Sequence, residues 1–275
     1  EGVTCLEIKS GYGLNTETER KMLQVAKLLS ESHPITIAKS FLGAHAVPTE
    51  FAGRSDEYID LVVDEMMPLL AEEQLIDAVD VFCENIGFSR AQCERVFQRA
   101  AELGLPVKGH VEQLSDQSGA RLVAEYGGLS VDHVEYLSPV DIPLIKETNV
   151  VPVLLPGAFY FLGETQKPPI NEFRQAQIPM AIASDLNPGS SPICSLLLNM
   201  NLACVQFGLT PEESLAGVTR HGAMALGLGE SKGLLKEDFD ADLTLWQIDH
   251  PAELSYAVNM TSPEKVWVAG EEVHH

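Results

Sequence analysis

Short runs of β-branched and other apolar residues alternate with longer amphipathic stretches up to about residue 190, and this repeat predicts successive parallel βα units. The predicted strands are 3–9, 35–41, 78–83, 106–110, 130–134, 150–155 and 180–184. Among the intervening helices, 16–32 opens on polar caps, and 56–73 spaces Tyr58, Ile59, Val62 and Val63 onto one apolar face. Seven consecutive units are one short of the eight that close a barrel, and an open sheet leaves two unpaired edges, so one further strand is expected upstream. Beyond residue 190 the pattern predicts helices at 192–208 and 210–227, then short antiparallel strands at 242–246 and 265–270. The expected fold is therefore α/β: a TIM-type (βα)8 barrel over 1–230 with seven of its eight units present. Residues 231–275 are expected to form the C-terminal part of a small β-sandwich domain.

Charge narrows the partners. With 40 acidic residues against 18 basic ones, the formal charge of −22 repels a phosphate backbone, so nucleic acid is not expected. The longest apolar runs, such as 150–155, fall far short of the roughly 20 residues of a membrane helix. No signal peptide is read either, and a soluble, cytoplasmic protein is expected. Five scattered cysteines without a Cys-x-x-Cys spacing argue against a disulfide framework or a zinc knuckle. The chain opens on Glu1 directly before the first strand, from which an upstream portion is expected, and His274-His275 reads as a tag remnant.

Barrel chemistry sits at the C-terminal ends of the strands, and polar residues gather there. The predicted strands end in Lys9-Ser10-Gly11-Tyr12-Gly13, Gly43-Ala44-His45, Gly109-His110, Asp132-His133 and Ser184-Asp185. Any one of these histidines alone could be a buried residue satisfied by a neighbour. Three histidines and an aspartate on one face instead form a donor set suited to Zn(II) or Fe(II), with His110 and Asp185 as two of its ligands. Some barrel hydrolases bridge two metals through a modified lysine at a strand end. Lys9 lies on the wrong strand for that, and the strand ending in Phe82-Cys83-Glu84 offers no lysine. A single metal is expected, with Lys9 as a charge partner at the rim, matched to Glu84. The loop Asn187-Pro188-Gly189-Ser190-Ser191-Pro192, read as leading into a helix, is either a plain capped turn or an anion-binding corner beside Asp185.

The motifs Glu7-Ile8-Lys9-Ser10-Gly11-Tyr12-Gly13-Leu14, Phe41-Leu42-Gly43-Ala44-His45, Asp132-His133 and Ser184-Asp185-Leu186-Asn187-Pro188-Gly189 resemble the imidazolonepropionase family of the amidohydrolase superfamily. The resemblance runs along essentially the whole chain. It implies metal-dependent hydrolysis of the cyclic amide 4-imidazolone-5-propanoate to N-formimino-L-glutamate in histidine degradation, by a homodimer using one zinc or iron ion. It implies His110 and Asp185 as metal ligands, with a His-x-His pair on a strand upstream, so the ligand set is expected to be incomplete here. Tyr12, His45 and Gln113 resemble substrate-contacting positions, and Asn187, Gly189 and Ser190 the loop that holds the amino-acid-like end of the substrate. His133 matches a histidine used near the reacting carbonyl, so the catalytic set implied is His133, Asp185 and His45. Gln113 stands where some family members carry glutamate, with Glu112 before it, and the tail reads Glu237-Asp238-Phe239-Asp240-Ala241-Asp242-Leu243 where glycine is common. Two rivals stay open: a mononuclear deaminase of cytosine or guanine, and a non-catalytic binding protein on the same fold.

Overall fold

The computed structural model describes residues 1–273; His274 and His275, with the expected tag remnant, lie outside the described residues. Seven strands form one parallel sheet in sequence order: β1 (Cys5–Lys9), β2 (Thr36–Ala44), β3 (Ala78–Cys83), β4 (Lys108–Val111), β5 (Ser130–His133), β6 (Val151–Leu154) and β7 (Ala181–Ile182). All seven predicted strands are present and every pairing is parallel, giving a curled, open half-barrel. Strands such as β6 are buried along their whole length because helices cover one face and side chains of neighbouring strands fill the other. That is why they read as continuous apolar runs and not as alternation.

Local chemistry sets the helix starts. Asn15 accepts from the Thr18 amide at the head of Thr16–Ser32, and Ser89 with Gln92 forms a capping box at the head of Arg90–Glu102. The predicted helix 56–73 is interrupted. It runs as Ser55–Leu61, a π-helical turn Val62–Met66, and Met67–Glu72. Pro68 explains the wide turn, because a proline inside a helix lacks an N–H and crowds the carbonyl four residues back, and one turn of longer spacing absorbs both. The widened turn still delivers Val62, Val63, Met66 and Met67 to the main core, where Phe41, Tyr58, Phe88 and Phe97 are fully buried. Tyr58 is tolerated there because its hydroxyl donates to the Gly43 carbonyl at 2.8 Å.

Two further helices depart from the expected bounds. The first starts only at Leu196, capped by Ser195, and ends through a π turn Ala203–Phe207 into left-handed Gly208; the second breaks at Thr219 into Pro211–Val218 and Arg220–Ala225. The tail forms an antiparallel sheet of β8 (Leu243–Trp246), β9 (Pro263–Val268) and β10 (Glu271–Val273). Its third strand was not expected: Ala269 and Gly270, both at positive φ, turn the chain back at a point the sequence reading took for the end of one strand.

Candidate active site

Four of the strands carry charged residues inside their apolar runs, and these meet in the barrel interior. Lys9 donates to Asp80 Oδ2 at 2.7 Å and lies 3.0 Å from Glu7 and 3.3 Å from Asp132; Lys108, almost fully buried, donates to Glu7 at 2.7 Å. Burial alone raises a carboxyl pKa, yet Lys108 and Lys9 together hold Glu7 down at about 2. Against the same desolvation, Lys9 and His110 hold Asp80 well below the usual carboxylate range. The expected pairing of Lys9 with Glu84 is therefore corrected. Glu84 instead accepts from the Leu114 amide at 2.9 Å and the Ser115 hydroxyl at 2.6 Å, and it braces the loop after β4.

His110 is oriented by this network. Its Nδ1 lies 3.2 Å from Asp80 Oδ1, and an ionised carboxylate only accepts, so Nδ1 carries a proton and, in the neutral form of the ring, Nε2 presents a lone pair. A carboxylate behind an imidazole in this way fixes a ligand histidine. Asp80, His110 and Asp132 bring donor atoms within 4.8 Å of one another, a group that could hold a metal ion. The ammonium of Lys9 already neutralises that carboxylate pair, however, so the group reads better as the support behind His110 than as the ion's own cage. Asp185, partly buried at the end of β7, feels the charges of His110, Asp132 and Lys9, while burial pushes its carboxyl above the ordinary value. Imidazole Nε2 and a carboxylate are donors that fit a Zn(II) or Fe(II) ion.

The other predicted residues gather at the same mouth. His45 Nδ1 donates to the Gly11 carbonyl at 2.8 Å, and burial lowers its pKa, so its Nε2 offers a lone pair. Tyr12, exposed, packs edge-on against His45 with centroids 5.1 Å apart, and Asp185 adds to burial in raising its pKa. His133 lies 5.6 Å from His110 between ring centroids; burial, then the charge of His110, keeps it neutral. Gln113 is buried beside Glu112, whose carboxylate accepts from the Gly119 and Ala120 amides at 2.7 and 2.8 Å. Glu112, His133, Val134 and Asp185 all have positive φ, a cost borne at the strand ends where the side chains must be aimed.

The loop after β7 differs from expectation. Gly189 and Ser190 donate their amides to Asn187 Oδ1 at 2.9 and 2.7 Å, so the corner's donors are already used, and after Pro192 the loop runs through Ile193, Cys194 and Ser195 before the helix at Leu196.

A second buried carboxyl escaped the sequence reading. Glu135 Oε2 and His133 Nδ1 lie 3.9 Å apart, and neither has a hydrogen-bond partner among the described residues. Burial, with the charges of Glu164, Asp185 and Glu84, pushes Glu135 up to about 8 from a usual 4.5. Between those two values the folded chain binds the proton that the unfolded chain has lost, so this group makes stability fall as pH rises through that window. Glu135→Gln should therefore raise Tm by about 5 °C or more at pH 9 in metal-stripped protein and change it little at pH 5. Scanning calorimetry at the two pH values checks this, and an equal change at both would show that Glu135 does not titrate with folding.

Comparison with known proteins fixes the relationship. The sequence profile of the amidohydrolase family matches residues 15–273. The imidazolonepropionase of Pseudoalteromonas atlantica is 55% identical over 272 residues, covering 99% of this chain and 67% of that protein. The imidazolonepropionase of Chromobacterium violaceum is 57% identical over 260 residues, covering 94% and 63%. The chain belongs to the imidazolonepropionases of the amidohydrolase family. It spans about two thirds of the length of these relatives. Among solved structures, 5-methylcytosine deaminase from Klebsiella pneumoniae superposes with TM-score 0.76 at 15% identity, covering 100% of this chain and 71% of that one. A zinc-bound adenosine deaminase from Xanthomonas campestris gives 0.73 at 22%, covering 98% and 65%. At such identities the likeness shows the amidohydrolase barrel fold alone. No helix of the described residues is long and apolar enough to cross a membrane.

Proposed function

We propose that the protein containing this chain hydrolyses 4-imidazolone-5-propanoate to N-formimino-L-glutamate, with His110 and Asp185 among the ligands of one zinc or iron ion. The observation that carries this reading is the Asp80–His110 contact at 3.2 Å, which aims an imidazole lone pair into the mouth that Tyr12, His45, His133 and Asp185 share. When bound, the ion supplies Lewis-acid activation of water at neutral pH. Asp185 takes the proton of the attacking water and returns it to the leaving ring nitrogen, a transfer that a carboxylate at this position can make in both directions. Neutral His133 donates to the carbonyl oxygen as charge develops on it. His45 presents an acceptor and so fits a ring N–H of the substrate better than the oxyanion. Gln113 offers both donor and acceptor to the ring.

The propanoate arm binds at Tyr12 and at the Asn187–Gly189–Ser190 corner, its carboxylate replacing Asn187 Oδ1 as the acceptor for the two amides. On a chain of charge −22 such local donors are required to offset the field. A homodimer and a cytoplasmic location rest on the family relationship alone. The test compares the imidazolone with its analogue lacking the carboxylate, with cytosine and guanine as controls. The analogue should lose about ten- to a hundredfold in kcat/KM, the worth of a charge-assisted hydrogen bond, with Tyr12→Phe losing less. Equal efficiency on both rings, or faster turnover of either base, would overturn the substrate.

A further inference from the structure

Tyr12 projects from a loop that has no regular hydrogen bonding of its own, and what holds that loop is a residue outside the mouth. Glu19, on the first turns of Thr16–Ser32, has no exposed surface and no cationic partner among the described residues. Its Oε2 accepts from the Gly11 amide at 2.9 Å, and its Oε1 accepts from Gly13 at 2.7 Å and Leu14 at 2.9 Å. A carboxylate near a helix start ordinarily faces solvent and the helix dipole. This one is instead sunk into a nest of three loop amides, which is a costly place for a charge unless the loop's shape is what it secures.

The loop is built to receive it. A Cβ at Gly13 would lie 2.7 Å from the Glu19 nitrogen and 2.9 Å from its Oε1, and Gly11, at φ +116°, would meet the Leu42 carbonyl at 2.7 Å. From the opposite side His45 grips the Gly11 carbonyl, and Tyr12 packs on the His45 ring. The peptide around Tyr12 is thus clamped at its amides by Glu19 and at its carbonyl by His45.

We propose that Glu19 is a positioning residue for substrate binding, holding the Gly11–Leu14 loop by its amides so that Tyr12 and His45 face the barrel mouth together. This rests on Tyr12 contacting substrate, as proposed above. Glu19→Gln keeps the shape but turns one acceptor oxygen into a donor, so at least one loop amide loses its partner.

The test uses the complete enzyme with Glu19→Gln, Tyr12→Phe and the double substitution. Glu19→Gln should lower kcat/KM by about tenfold, chiefly through KM, and by less than about threefold when Tyr12 is already Phe. Hydrogen exchange of the Gly11, Gly13 and Leu14 amides should accelerate by about tenfold or more while β2 keeps its protection. Full multiplication of the two effects, or unchanged loop exchange, overturns the role of Glu19. If the parent fails on the imidazolone, the functional reading falls by itself, and the exchange still decides whether Glu19 holds the loop. Should Glu19→Gln not fold, Glu19→Asp, which keeps the charge but withdraws it by one methylene, is read by the same exchange measurement.

Discussion

Replacing Asp185 with asparagine in the complete enzyme should cut turnover by about a hundred- to ten-thousandfold while leaving the barrel folded. The substitution preserves the side chain's shape, so packing at the end of β7 is retained. It removes the charge that faces His110 and the basicity needed to take a proton from water. In the proposed role the Asp185 carboxylate accepts and then surrenders that proton, and an amide can do neither. Steady-state kinetics with metal content per chain and a melting curve check this together. Near-native turnover at unchanged metal content would remove Asp185 from the chemistry.

Removing the ammonium of Lys9 should be strongly destabilising. In Lys9→Met the fully buried Asp80 and the nearly buried Asp132 lose the cation they share, and Glu7 keeps only Lys108. Breaking a buried ionic network by taking away one member costs about 3–5 kcal/mol, because the remaining charges stay desolvated and unpaired. Equilibrium urea unfolding should show that loss, and adding Asp80→Asn to Lys9→Met should recover part of it. A loss below about 1 kcal/mol would mean that Asp80 is neutralised in some other way.

These two residues mark what was and was not legible in the sequence. The strands were legible because each is a short apolar run closed by turn residues, and the histidines at their ends because strand ends line the mouth of a barrel. His110 and Asp185 could be named on that basis. Asp80 could not, since it lies mid-strand in Ala78-Val79-Asp80-Val81-Phe82 and not at an end. A signal was nevertheless present. Glu7, Asp80, Lys108 and Asp132 are each a charge inside an otherwise apolar strand, and charges so placed must find one another. Glu19 was hidden for the opposite reason, because an acid in the first turn of a helix is an ordinary feature whose carboxylate can turn either way. The closure of Asn187 on its own loop depends on side-chain geometry that composition does not carry.

The left-handed backbone at Glu112, His133, Val134 and Asp185 bears on how this scaffold can be improved. Val134 is the sharpest case, because a β-branched side chain at φ 64° is held there against its own preference. A selection for heat tolerance would be drawn to such places, where glycine or asparagine releases strain at once. Each release would also loosen the peptide that carries a histidine or carboxylate of the proposed site, so tolerance gained there is expected to be taken from turnover. Adaptation of this enzyme to higher temperature is thereby steered away from the barrel mouth and into the surrounding helices, whose exposed positions can change without moving the chemistry.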